Sequence, residues 1–246
     1  MRIALMADIH ANWQAFGACL AHARANGYDR LGFLGDYVGY GGDPSRVVDV
    51  LMDEVARGAF AIQGNHDLAI SNQSQSHTLE ADISLAWTRG QLGPEARAFL
   101  GGLPSRHQEG DQLFVHATPE ATAKWPYLDD VGSALKALEA CQAQAVFCGH
   151  VHVPALYALA GNGRGVAFAP VDGIPVPLSR HRRWLAVLGS VGQPRDRHSA
   201  AAYALLNLHR HELTFHRVPY DVEGAAAAIR AAGLPASLAE RLAMGR

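Results

Sequence analysis

Only three cysteines occur in 246 residues, Cys19, Cys141 and Cys148, and none belongs to a C-x-x-C pair. An odd and sparse set excludes a disulfide scaffold and fits a reducing compartment. An excess of one charge is also lacking, with 21 Lys and Arg against 23 Asp and Glu, a formal balance of -2. Without a basic surplus, neither duplex nucleic acid nor an anionic membrane is the expected partner. A nucleotide or other small phosphate ester stays open as substrate, because a local metal site binds anions without a basic surface. No apolar run approaches the roughly 20 residues that span a bilayer. The first residues run directly into an apolar strand with no leader pattern, so a soluble, cytoplasmic protein is expected. The sequence leaves the oligomeric state open. Hydrophobic residues make up 49%, enough for a sizeable core. Histidine is plentiful at 13 residues, and where these fall carries the rest of the argument.

The first 150 residues alternate strand and helix. Apolar runs at Arg2–Ala7, Leu31–Leu34, Phe60–Gln63, Leu113–Val115 and Ala145–Cys148 read as buried strands. Between them, Asn12 can cap a helix to Ala25 with Gly27 as its stop, Asp43-Pro44 opens one to about Ala56, and another lies near Asp130–Cys141. This tempo points to βαβ units. Residues 68–104 read as a mostly helical insertion, a candidate cap with Leu79–Leu92 and Pro94–Leu103 as its helices. After residue 153 short strands take over, separated by turn signals such as Gly161-Asn162-Gly163 and Asp172-Gly173, which predicts antiparallel hairpins. Asp221 can cap a helix over Val222–Ala232, and Ser237 with Glu240 offers a capping box for a last one. One domain over 1–246 is expected, an α/β fold with two mixed sheets packed face to face and helices outside.

Polar residues of one kind gather at the strand ends: Asp8-x-His10, Gly35-Asp36, Gly64-Asn65-His66-Asp67, Val115-His116 and Gly149-His150-x-His152. Ligands of open α/β sheets bind at the carboxyl ends of strands. Singly, each is a weak sign, since a strand-terminal Asp also forms turns and an isolated His is often a satisfied core residue. Five together exceed what capping requires, because His is a poor cap. Carboxylate with imidazole suits borderline divalent ions such as Mn, Fe, Ni or Zn, and the absence of cysteine from the set argues against a structural zinc site.

In order and spacing, these five segments resemble the motif series of the calcineurin-like metallophosphoesterases, over residues 8–152. Gly189-Ser190-Val191-Gly192-Gln193-Pro194-Arg195 resembles a later element of the small bacterial members. The resemblance implies a four-layer α/β/β/α sandwich holding two divalent cations. Asp8, His10 and His152 would bind one ion, Asn65, His116 and His150 the other, and Asp36 would bridge them. It further implies in-line attack by a hydroxide bridging the ions. His66 would act as the acid that protonates the leaving alkoxide, with Asp67 orienting its imidazole. His116 is followed by Ala117, where many relatives have glycine.

Protein serine/threonine phosphatases and symmetrical dinucleoside tetraphosphate hydrolases of that superfamily carry Gly-Asp-x-x-Asp-Arg-Gly. Here the stretch is Gly35-Asp36-Tyr37-Val38-Gly39-Tyr40-Gly41. Tyr40 replaces an arginine whose fork clamps phosphate, which favours a phosphodiesterase on small or nucleotide-like diesters. Tyr40 offers a phenolic donor or a stacking face, or it simply packs on the core. Arg195, in its Gly-rich loop, is the substitute cation or an exposed loop residue. Trp87 and Arg89 of the insertion could meet substrate, and His209, His211 and His216 flank a turn where a second metal site is conceivable. A phosphomonoesterase or dinucleoside polyphosphate hydrolase is the alternative, and a non-catalytic binding scaffold, as in the retromer subunit that resembles these enzymes, the remote one.

Overall fold

Ile3 and Leu5 face one way along the first strand, Ala4 and Met6 the other, and all four are fully buried. A strand covered on both faces requires a layer on each side, and the computed structural model supplies them. It describes residues 1–72, 78–120 and 124–246. The strands are β1 (Arg2–Met6), β2 (Arg30–Phe33), β3 (Phe60–Ala61), β4 (Arg106–Glu109), β5 (Gln112–Val115) and β6 (Ala145–Cys148). They continue with β7 (Ala155–Ala160), β8 (Gly165–Phe168), β9 (Pro175–Pro177), β10 (Arg182–Val187), β11 (Ala201–Asn207) and β12 (Glu212–Val218). The helices are α1 (Trp13–Asn26), α2 (Pro44–Ala56), α3 (Asn65–Asn72), α4 (Leu79–Gln91), α5 (Pro94–Gly102), α6 (Val131–Glu139), α7 (Val222–Ala231) and α8 (Ala236–Met244).

Two six-stranded mixed sheets result, in the orders β3-β2-β1-β11-β12-β9 and β4-β5-β6-β10-β7-β8. Alternation decides which face meets what. Ile3 and Leu5 of β1 meet Phe114, Phe147, Trp184 and Ala186 in the core between the sheets. Ala4 and Met6 instead face Phe16, Leu20, Val47 and Leu51 of α1 and α2. On the far face of the second sheet, Val146, Leu185 and Val187 pack on Ala134 and Leu138 of α6. A fourth apolar cluster joins α7 and α8 to Tyr40 and Ala81. The expected sandwich is the observed fold. Among the described residues, no helix is long and apolar enough to cross a membrane. All three cysteines are free.

Four local readings change. The hairpin region is antiparallel except that β10 enters the second sheet beside β6 and runs parallel to it, after the excursion through β7, β8 and β9. The strand β4, Arg106-His107-Gln108-Glu109, is an edge strand exposed along much of its length, and with no apolar alternation it left no pattern to read. The helix α3 begins at Asn65 itself, so the Gly64-Asn65-His66-Asp67 segment, placed at a strand end, is also a helix start. The predicted capping box at Ser237 does not form: α8 starts two residues earlier, capped at Pro235, whose carbonyl accepts from Leu238 N. Asn12 and Asp221 do cap, accepting from Ala15 N and Gly224 N.

Candidate metal centre

Five of the candidate ligands adopt left-handed backbone: Asp8 (φ 55), His10 (φ 50), Asp36 (φ 57), His150 (φ 69) and His152 (φ 65). This region is uncommon for L residues, and such strain persists where surrounding structure over-determines it. The loops do hold one another. Asp8 N donates to Gly35 O, His10 N to Asp36 O and Gly149 N to His116 O, at 2.9–3.0 Å. Ser190 Oγ donates to Asp8 O at 2.8 Å, and Asn12 Nδ2 to Gly192 O at 2.8 Å, which docks the 189–195 loop against the first strand end. Gly64 lies so close to Asp36 that a Cβ would stand 2.2 Å from its Oδ1. Any side chain there would displace the carboxylate.

The ring nitrogens fit a cation. His10 Nδ1 contacts Val38 O at 3.1 Å and His152 Nδ1 contacts Gln193 O at 2.7 Å, and a carbonyl only accepts, so each Nδ1 carries the proton. Their two Nε2 atoms, left with lone pairs, then face each other at 3.1 Å in a buried setting. His116 Nδ1 donates to Leu34 O at 2.7 Å, leaving Nε2 3.2 Å from Asn65 Oδ1 and 3.3 Å from Asp36 Oδ2. His150 Nε2 donates to Trp125 O at 2.9 Å, which frees its Nδ1. A backbone carbonyl behind each imidazole fixes its orientation in the way metal-binding histidines require. Donor atoms of Asp8, His10 and His152, of His10, Asp36 and His66, and of Asp36, His116 and His150 lie within 4.8 Å of one another in each group. His10 and Asp36 each belong to two groups, so the three merge into one centre.

Charge at this centre is set by burial against neighbours. At Asp36 burial favours the neutral acid, but the imidazoles of His116 and His66 outweigh it and hold the carboxyl well below its ordinary range. His116 is the counterpart: burial opposes its charge, yet Asp36 raises it to about 9. His150 is pushed down to about 4, by burial and then by His116, and His10 is lowered by burial and by His152 and His66. At neutral pH the metal-free centre therefore holds an imidazolium at His116 beside neutral His10 and His150. A proton on His116 Nε2 stands where the donor set calls for a metal ion.

His66 is buried, with Nε2 4.0 Å from Asp36 Oδ2, and burial lowers its pKa. The expected pairing with Asp67 is not made. The Asp67 carboxylate accepts instead from Asp36 N at 2.8 Å, Tyr37 N at 2.9 Å and Gly64 N at 2.9 Å. It therefore ties the second strand end to the third and positions Asp36, while His66 Nδ1 has no hydrogen-bond partner among the described residues. Gly39 (φ 83) explains the gap: a Cβ there would lie 2.3 Å from that nitrogen, and glycine stands here where the phosphatase motif has aspartate. That replacement is the sequence signal for an unpaired His66.

A cavity of about 320 Å³ covers the centre, lined by Asp36, Asn65, His66, His150 and His152 together with Tyr40 and Arg195. Tyr40 is buried, with its ring centroid 4.7 Å from those of His10 and His66. Arg195 lies over the Tyr40 ring at 5.8 Å, its guanidinium held by Gln193 Oε1. Tyr40 thus packs in the apolar cluster with α7 and α8 and also lines the cavity. The remaining wall was not legible in the sequence: Thr78, Trp125, Tyr127, Arg241 and Arg246. Tyr127 stacks on His150 at 4.4 Å and is 45% exposed, so one ring face stays available. Trp87 packs towards α7 and α8, and Arg89 is bound to Ala69 O, so neither joins the wall. Among the described residues, no group of convergent metal donors includes His209, His211 or His216.

Residues 1–211 match the family model described as the calcineurin-like phosphoesterase superfamily domain. An uncharacterized protein of Methanocaldococcus jannaschii is 30% identical over 99% of this chain and 98% of its own length. The crystal structure of a metallophosphoesterase from Sphaerobacter thermophilus superposes with a TM-score of 0.87 at 34% identity, covering 100% of this chain and 99% of that one. A hypothetical protein of Pyrococcus horikoshii shares the fold at a TM-score of 0.79 and 20% identity, over 100% of this chain and 98% of its own. The buried carboxylate–imidazole centre lies wholly within the matched residues, and the chain belongs to the calcineurin-like phosphoesterase superfamily, a family of metal-dependent phosphoric ester hydrolases.

Proposed function

We propose that this protein is a dinuclear phosphodiesterase acting on small or nucleotide-like diesters. Asp8, His10 and His152 would hold one divalent ion and Asn65, His116 and His150 the other, with Asp36 available to both; Mn, Fe, Ni and Zn all suit this mixed donor set. The observation that carries the reading is the buried pair of Nε2 lone pairs on His10 and His152, 3.1 Å apart, beside a carboxylate common to two donor groups. Bound ions would supply a water of lowered pKa and positive charge for the phosphoryl oxygens.

The chain's own groups do the rest. Only Asp8 and Asp36 contribute carboxylate charge to the ligand set, so the loaded centre stays electropositive and draws in a phosphate ester. His66, lining the cavity, would act as the acid in its imidazolium form, giving the Nε2 proton to the leaving alkoxide and returning to the neutral ring. Asp67 keeps Asp36 in place through the backbone rather than touching the imidazole. Tyr40 fills the place of a phosphate-clamping arginine, which favours an ester carrying two substituents over a monoester dianion. The free face of Tyr127, with Trp125 beside it, suits a planar base. Residues 68–104 border this pocket through Thr78, in keeping with a cap role.

Arg195 supports a second reading, a monoesterase or dinucleoside polyphosphate hydrolase, because its guanidinium faces the same cavity. Turnover of bis(p-nitrophenyl) phosphate against p-nitrophenyl phosphate, with Mn added, separates the two. The diester is expected to have the higher kcat/KM, and preference for the monoester would refute the choice made here.

A further inference from the structure

Arg241 of α8 and Arg246, just past its end, enter the wall of the cavity from outside the residues 1–211 that match the family domain. Their placement is built into the fold. Leu238 and Leu242 of α8 are buried in the same apolar cluster as Tyr40, which fixes the helix against the loop that follows Asp36. Past its end, Arg197 N donates to Gly245 O at 2.8 Å and Arg246 N to Arg241 O at 3.2 Å, which ties the backbone of Arg246 to the last turn of α8. With Arg195, three arginines line one cavity.

Neutralisation by the described residues does not account for them. Asp8 and Asp36 are engaged by His150 N, His152, His116 and His66 N. Arg241 has Glu80 only at 3.8 Å, with both side chains about a third exposed, a geometry in which an ion pair contributes little. Three like charges round an already electropositive centre repel one another, and a single phosphodiester brings one negative charge. The arrangement suits a ligand with more anionic charge than the reacting phosphate supplies. A volume of about 320 Å³ is at the lower end of small-molecule sites and matches a nucleotide.

We propose that Arg241 and Arg246, together with Arg195, form a second anion subsite that selects nucleotides carrying a phosphate beyond the one at the metal centre. The proposal rests on the phosphoesterase reading above but not on its preference for diesters. Guanidinium forks recognise phosphate oxygens bidentately, so one such contact is worth about tenfold in affinity.

Titration calorimetry on Mn-loaded His66→Ala protein tests this without turnover. Adenosine 5′-monophosphate is compared with adenosine 3′,5′-bisphosphate and adenosine 5′-diphosphate. At least one of the two doubly phosphorylated ligands is expected to bind about tenfold or more tightly than the monophosphate. Arg241→Gln and Arg246→Gln, each added to that protein, should bring the ratio towards one, whereas Arg210→Gln, at the distant β11–β12 turn, should leave it unchanged. Arg246 is exposed and outside the core, so its variant carries the test if Arg241→Gln disturbs α8. Equal affinities for all three ligands would overturn the proposal, as would a preference that survives both substitutions. Turnover of bis(p-nitrophenyl) phosphate plays no part in this titration, so failure of the diester reading shows separately.

Discussion

Replacing Asp67 with asparagine separates two jobs, orienting the His66 imidazole and holding the backbone that carries Asp36. Asp67 is fully buried; its Oδ2 takes the Asp36 and Gly64 N–H groups and its Oδ1 takes that of Tyr37. An asparagine can keep its oxygen on the first two only by turning its NH2 towards Tyr37 N–H, where two donors meet. One buried N–H then lacks a partner, and the others lose a charged acceptor, for a cost of about 2 kcal/mol. At this chain length that corresponds to a melting temperature lower by roughly 4–8 °C. Asp36 N is one of the released groups, so metal content should fall with stability. Thermal unfolding followed by circular dichroism, with metal counted by mass spectrometry on the same sample, reads both. A variant with wild-type melting and full metal, but lost turnover, would refute this reasoning and restore the orienting role.

Three further outcomes follow from the same geometry. Gly64→Ala should empty the centre, because its Cβ would stand 2.2 Å from Asp36 Oδ1, whereas Gly39→Ala should displace His66 and abolish turnover with metal retained; metal content and initial rates distinguish the pair. In the metal-free protein Asp36 raises His116, against burial, to about 9, so at pH 7 this ring holds a proton that a bound ion must expel. The sign is therefore release, of about one proton per chain, with affinity rising as pH increases towards 9; calorimetry in two buffers of different ionisation enthalpy measures it. Tyr37→Phe removes a buried hydroxyl that accepts from Gly35 N and Ile62 N and lies 2.6 Å from Ile62 O, which should cost about 1–3 kcal/mol in urea unfolding.

Much of the fold was legible because burial leaves simple patterns. Strands such as Arg2–Met6, covered on both faces, read as continuous apolar runs, and the helices after Asn12 and Asp221 announced themselves by their caps. The strand β4 was hidden for the opposite reason, being a polar edge with no hydrophobic period. At the site, the residues brought together are those that follow strand ends, where side-chain type alone signals chemistry. What the sequence could not show is partnership. The family resemblance implied that Asp67 orients His66, but the start of α3 turns the carboxylate towards the backbone of residues 36, 37 and 64. Arg241 and Arg246 gave no signal, because only the packing of α8 on the Tyr40 loop brings them to the cavity.

The most direct test of the dinuclear reading is the number of metal ions per chain after reconstitution with Mn, measured by inductively coupled plasma mass spectrometry for wild type and Asp36→Asn. The shared-carboxylate centre predicts two ions in the wild type and fewer than one in the variant. A wild type that holds a single ion, or a variant that keeps both, would contradict it.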